Sequence, residues 1–127
     1  MFIPIIIHNS GIPCLFSFGN TDMYGITIFP FIFIINFKKL NKPAIYSKEE
    51  VINHEKIHIQ QMIETGVIGF YVLFACELLV KSILYKSIRL GYENISFEIE
   101  AYKNMKNMNY LHSRTRYNWI KLLYHSC

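Results

Sequence analysis

Residues 53–61 read NHEKIHIQQ, with His54 and His58 four apart and Glu55 beside the first. Ser47 followed three residues later by Glu50 is a capping-box signature, and Gly66 is a stop signal. The spacing therefore predicts a helix that starts after Ser47, ends near Thr65 and contains the whole segment. On a helix, positions four apart lie one above the other, so both imidazoles can address a single ion. Glu55 sits one residue round the helix and does not easily share that ion, but its carboxylate can reach a water bound to it. HExxH in a helix is the spacing of two zinc ligands and a general base.

Working outward from this helix, the period of the sequence changes on the N-terminal side. FIPIIIH at 2–8, PCLFSF at 13–18 and GITIFPFIFII at 25–35 are apolar runs bounded by turn residues, and each is expected as a strand. Pro30 cannot donate to a ladder, which places the last strand at a sheet edge. A polar linker at 36–44 separates these runs from the helices. On the C-terminal side a second helix is expected over 67–89, ending near Gly91. A third begins at Asn94 or Ser96 and reaches about Asn109, and Ser113 caps a fourth that carries Trp119. The expected fold class is α+β, a short N-terminal sheet packed on about four helices, in a single domain spanning 1–127.

Composition narrows the function classes. Hydrophobic residues make up 52% of the chain and aromatics 16%, which is the composition of a folded protein. The net charge is +4, and Lys103, Lys106, Arg114, Arg116 and Lys121 follow Glu100 with no acid among them. This basic region reads as the solvated face of terminal helices, with anionic lipid as the alternative partner. No nucleic-acid fold signature accompanies it, so no nucleic-acid partner is expected. Cys14, Cys76 and Cys127 are odd in number and widely spaced, which fits a reducing, cytoplasmic setting without a disulfide frame.

Two apolar stretches need a separate reading. Residues 2–21 lack charge, but no basic region precedes them, and Pro4, Gly11, Pro13 and Gly19 interrupt them, so strands are expected instead of an export signal. GVIGFYVLFACELLV at 66–80 contains Glu77, is closed by Lys81 and falls short of the ~20 apolar residues that span a bilayer. It is expected as a buried core helix, with peripheral membrane association as the alternative.

Catalytic zinc takes three protein ligands and an open position. His8, His112 and His125 remain, together with the carboxylates of 96-SFEIEAYKNMKNM-108. Glu98 shares a helix face with Ala101, Tyr102 and Met105. Glu100 shares one with Lys103, Asn104 and Asn107. A carboxylate turned toward a core is costly unless it is paired or binds a cation, so Glu98 is the expected third ligand. Glu100 is expected on the polar face as a partner of Lys103.

HEKIH followed by a helix reading ISFEIEAY resembles the gluzincin group of zinc peptidases, in which two His of HExxH and a downstream Glu hold the metal. More narrowly, NHEKIH and NISFEIEAY with an upstream GxTxFPFIF run are similar to a group of short bacterial proteins. Gluzincins often carry the third ligand as ExxAD. Laying that pattern on residues 98–102 selects Glu98 again and puts Tyr102 where the pattern has Asp.

The resemblance implies a minimal zincin-like domain with Zn2+ held by His54, His58 and Glu98 and with Glu55 as catalytic base. The implied substrate is a peptide or protein, held as an added strand beside the active-site helix. Tyr92, Tyr102, Tyr110 and His112 are candidates for stabilising an oxyanion, and Asn53 and Gln61 for orienting the histidines. A metal-stabilised binding protein without catalysis and a membrane-associated protein are the competing classes. Oligomeric state is left open.

Overall fold

A computed structural model describes residues 3–15, 24–40 and 42–123. The N-terminal third holds β1 (Ile5–Ile7), a four-residue α1 (Ile12–Leu15), β2 (Gly25–Ile28) and β3 (Phe31–Ile34). Then come α2 (Lys48–Thr65), α3 (Ile68–Leu84), α4 (Ile88–Glu93), α5 (Ser96–Asn104) and a four-residue α6 (Tyr110–Ser113). Short 3-10 segments occupy Phe37–Lys39 and Asn118–Leu122. The class is α+β: a three-stranded sheet and a set of helices packed on it.

The sheet differs from expectation in two places. The run at 25–35 is a hairpin, with Phe29 and Pro30 in the turn, and β3 lies in the middle of the order β1-β3-β2. β1 runs parallel to β3, and β2 runs antiparallel to it with Thr27 opposite Ile32. Pro30 thus interrupts the run as a turn residue, and the edge strand beside the helices is β2. The run at 13–18 begins as helix over Ile12–Leu15: Ser10 Oγ accepts from Ile12 N at 3.1 Å, and a proline is tolerated in a first turn. Residues 16–18, and residue 2 of the first expected strand, lie outside the described residues.

α2 has the expected bounds for the expected reasons. Ser47 Oγ accepts from Glu50 N at 3.2 Å, Glu50 Oε1 accepts from Ser47 N at 2.8 Å, and Gly66 ends the helix in the left-handed region at φ 75°. α3 leaves at 108° to α2. The second helix stops at Leu84 instead of 89, because Lys86 adopts φ 54° and Ser87 caps a new helix, α4. Gly91 is not a stop. A Cβ there would lie 2.4 Å from Ser82 Oγ, so its role is to let α4 pack back onto α3.

α5 ends at Asn104, short of the expected 109. Asn53 of α2 donates to Met105 O at 2.8 Å and to Asn107 O at 3.0 Å, satisfying carbonyls at that end of the helix. Asn107 Oδ1 also accepts from Asn109 N, a local bond that competes with helix continuation. Ser113 closes α6 and starts no long helix, and Trp119 sits in the last 3-10 segment. The core runs between sheet and helices through Ile32, Ile34, Ile59, Met62 and Ile95, all buried. Phe97 packs with Phe70 on one side and Trp119 on the other, at ring separations of 4.5 and 4.7 Å. No helix among the described residues is long and apolar enough to cross a membrane.

Candidate metal centre

α2 brings His54, Glu55 and His58 to one buried face, and α5 brings Glu98 against it. His58 Nε2 lies 3.1 Å from His54 Nε2 and 3.0 Å from Glu98 Oε2, and His54 Nε2 lies 3.2 Å from Glu98 Oε1. The residues predicted as ligands from the sequence are therefore together in space. Donors about 2.1 Å from a tetrahedral ion lie roughly 3.4 Å from one another, close to these separations. Two imidazole nitrogens and a carboxylate converging on one point also leave more lone pairs than one shared proton can satisfy. The group could hold a metal ion.

Charge in the metal-free cluster is shared across the same three residues. Burial by itself would lower the His58 pKa, but the Glu98 carboxylate outweighs it and holds the imidazole up at about 9. Burial would raise Glu98 in turn, and the His58 charge with hydrogen bonds from both histidines holds it well below the usual carboxylate range. The metal-free cluster thus holds a His58–Glu98 ion pair, and a cation entering it would take the place of the His58 proton.

A polar chain behind His58 fixes its orientation. Glu100 is fully buried, contrary to the expectation of a solvated partner for Lys103. It accepts from Arg114 Nε, from Tyr110 Oη at 2.6 Å and from Gln61 Nε2 at 2.9 Å. Burial would raise the Glu100 pKa, and the Arg114 bonds outweigh that and keep it ionised. Because Glu100 can only accept, Gln61 presents its amide N–H to Glu100 and its Oε1 to His58 Nδ1, at 2.7 Å. Nδ1 then keeps its proton in either charge state, and Nε2, which faces the cluster, is the nitrogen that must lose a proton to accept a cation. Arg114, read from the sequence as part of a basic tail, is buried between Glu100 and Glu64. Gln61 orients a histidine as expected, whereas Asn53 serves the end of α5 and touches neither.

Glu77, an oddity within an apolar stretch of sequence, anchors the element that carries Glu98. Its carboxylate accepts from Ser96 N at 2.6 Å and from Ser96 Oγ at 2.7 Å, capping the first turn of α5, whose own cap residue Ile95 offers no side-chain acceptor. An acid at a helix N-terminus is favourable on charge grounds as well.

Glu55 is held apart from the three ligands. Thr27 Oγ1 on β2 donates to Glu55 Oε2 at 2.7 Å. Gly25 makes the close approach of β2 and α2 feasible, since a Cβ there would lie 3.3 Å from Glu55 Cγ and 3.0 Å from Val51. Ile35 N donates to Tyr24 O, so Tyr24 faces β3, and by alternation the backbone groups of Gly25 and Thr27 point away from β3 along the free edge. Tyr71 Oη donates to Thr27 O at 3.2 Å on that edge.

A cavity of about 340 Å³ lies beside this edge, lined by Glu55, His58 and Glu98 together with Met62, Phe70, Phe74 and Leu78. Of the four oxyanion candidates, Tyr92 lines it with its hydroxyl hydrogen-bonded to Glu98, and Tyr110 lies outside it with its hydroxyl on Glu100. Burial, then the Glu98 charge, pushes the Tyr92 phenol far above its usual value, which keeps it a neutral donor. Tyr102 packs edge-on to His54 at a ring separation of 4.4 Å. The buried His54 Nδ1 has no hydrogen-bond partner among the described residues. Comparison with known protein families, with curated proteins and with solved structures finds no match to this chain.

Proposed function

We propose that the protein is a small zinc-dependent metallopeptidase that hydrolyses peptide bonds. The observation that carries this reading is the buried convergence of His54, His58 and Glu98 with a separate carboxylate, Glu55, held by Thr27 and lining an apolar cavity. Bound zinc would supply a Lewis acid that acidifies water and polarises the scissile carbonyl. Glu55 would take the proton from the attacking water and pass it to the departing amine. Tyr92, whose neutral hydroxyl meets Glu98, would turn that hydroxyl to the developing oxyanion. The outward backbone groups of Gly25 offer the free edge of β2 to an extended peptide, which favours main-chain recognition.

The test is elemental analysis of the purified chain beside peptide cleavage. One zinc per chain is expected, lost in His58→Ala and in Glu98→Gln. Glu55→Gln should keep the zinc and lose cleavage. A chain with zinc bound and no hydrolysis of any peptide would remove the enzyme reading. The missing acceptor at His54 Nδ1 favours a second reading, a metal-stabilised protein without catalysis. In that case Glu55→Gln changes nothing measurable, while His58→Ala unfolds the domain.

A further inference from the structure

α3 has its polarity reversed. Its two charged residues point into the protein, where Glu77 meets Lys81 at 2.8 Å and Lys81 donates to the Asn94 carbonyl. Its outer face is apolar: Ile68, Val72, Leu79, Val80, Ile83 and Leu84 are each more than half exposed. At 3.6 residues per turn the exposed positions of α3 cover roughly 220° of its circumference. A helix seated on one partner needs an apolar stripe of about 100°. A single partner helix, or a second copy meeting this one along a seam, leaves much of the remaining surface in water. A continuous apolar medium covers all of it, and inward charges with outward apolar side chains are the arrangement that hydrocarbon imposes.

We infer that α3 docks the protein on a lipid bilayer, lying in the interface with its outer face among the acyl chains and the metal cluster on the aqueous side. Its 17 residues extend about 25 Å, less than the ~30 Å of a hydrocarbon core, so the helix lies along the surface and does not span it. The apolar surface continues through exposed Ile88 and Leu90 of α4. Exposed Lys86 and Arg89 lie among them at headgroup depth, Arg89 also meeting Glu93 at 3.4 Å. The cavity beside the metal cluster reaches the same face, since Ala75 and Ile88 both line it and are exposed. The docking does not depend on the peptidase reading.

The experiment is flotation of the full chain through a density gradient with vesicles of phosphatidylcholine and phosphatidylglycerol at physiological salt. The wild type is expected to rise with the vesicles. Val72→Glu/Leu79→Glu/Ile83→Glu, at three exposed positions, is expected to stay at the bottom with its melting temperature unchanged. Should that variant fail to fold, Leu79→Ser answers in its place by floating less than the wild type. Glu55→Gln should float like the wild type, which separates docking from hydrolysis. A wild type that stays at the bottom, or charged variants that float equally well, overturns the inference. So does a wild-type dimer that the triple variant converts to monomer while neither floats, which would assign the face to a second copy.

Discussion

On the proposed reading, Glu55 and Thr27 would separate catalysis from metal holding at the level of single atoms. Glu55→Gln preserves shape but cannot accept a proton, so cleavage should fall by about 10²–10⁴-fold with zinc content unchanged, as read by steady-state kinetics beside metal analysis. Thr27→Val removes the hydroxyl that fixes Glu55 Oε2 at 2.7 Å while leaving the strand intact. A hydrogen bond to a charged group is worth about 1.5 kcal/mol, so kcat should drop roughly tenfold with KM little changed. A rise in KM alone, with kcat preserved, would place Thr27 in substrate binding instead.

At the scale of elements, the site is made where α2 meets α5, and buried polar contacts set that meeting. Arg114 joins Glu64 of α2 to Glu100 of α5 with both acids nearly inaccessible to water. Arg114→Met leaves Glu100 buried and uncompensated and should cost about 3–5 kcal/mol in urea unfolding. Adding Glu100→Gln should recover much of that, because the unpaired charge is gone. The same single variant should weaken zinc binding about 10–100-fold through Gln61 and His58. α4 is independent of the ligands. Gly91→Ala forces a Cβ into Ser82, and overpacking there should cost about 1–3 kcal/mol while zinc stoichiometry stays at the wild-type value.

For the whole molecule, folding and protons are linked through the His58–Glu98 pair, and on the proposed reading metal joins them. His58 is raised from 6.5 to about 9, so its contribution is fully present below 6.5 and is lost as pH climbs through about 9. Glu98 is lowered from 4.5, so its contribution is present above 4.5 and is lost as pH falls through its folded value. The metal-free protein should therefore be most stable between about pH 4.5 and 6.5 and should melt at lower temperature as pH rises toward 9. Zinc needs His58 Nε2 deprotonated, so added zinc should raise the melting temperature most at the alkaline end and release protons on binding. Thermal melts with chelator and with zinc across that range, and titration calorimetry in buffers of different ionisation enthalpy, check both. A melting temperature that is flat with pH in chelator would show that the pair is not coupled to folding.

Local chemistry was readable directly. The Ser47–Glu50 capping box and Gly66 bounded α2, the i, i+4 spacing put His54 and His58 on one face, and the apolar company of Glu98 turned it inward. These follow from helix geometry and nearest neighbours, which a sequence states explicitly. Glu100, Arg114 and Glu77 were misread or passed over because their partners lie 10 to 50 residues away, and charges that seem solvated in a helical pattern become buried only when another helix supplies the counter-charge. The hairpin at Pro30 was missed for a related reason: an apolar run that folds back on itself has the same composition as one long strand. The sequence by itself determined which residues could hold a metal and that His54 and His58 share a helix face. Only the tertiary structure decided that Thr27 holds Glu55, that Gln61 sets His58, and that α3 turns its charges inward and its apolar face out, because those depend on which surfaces meet across the fold.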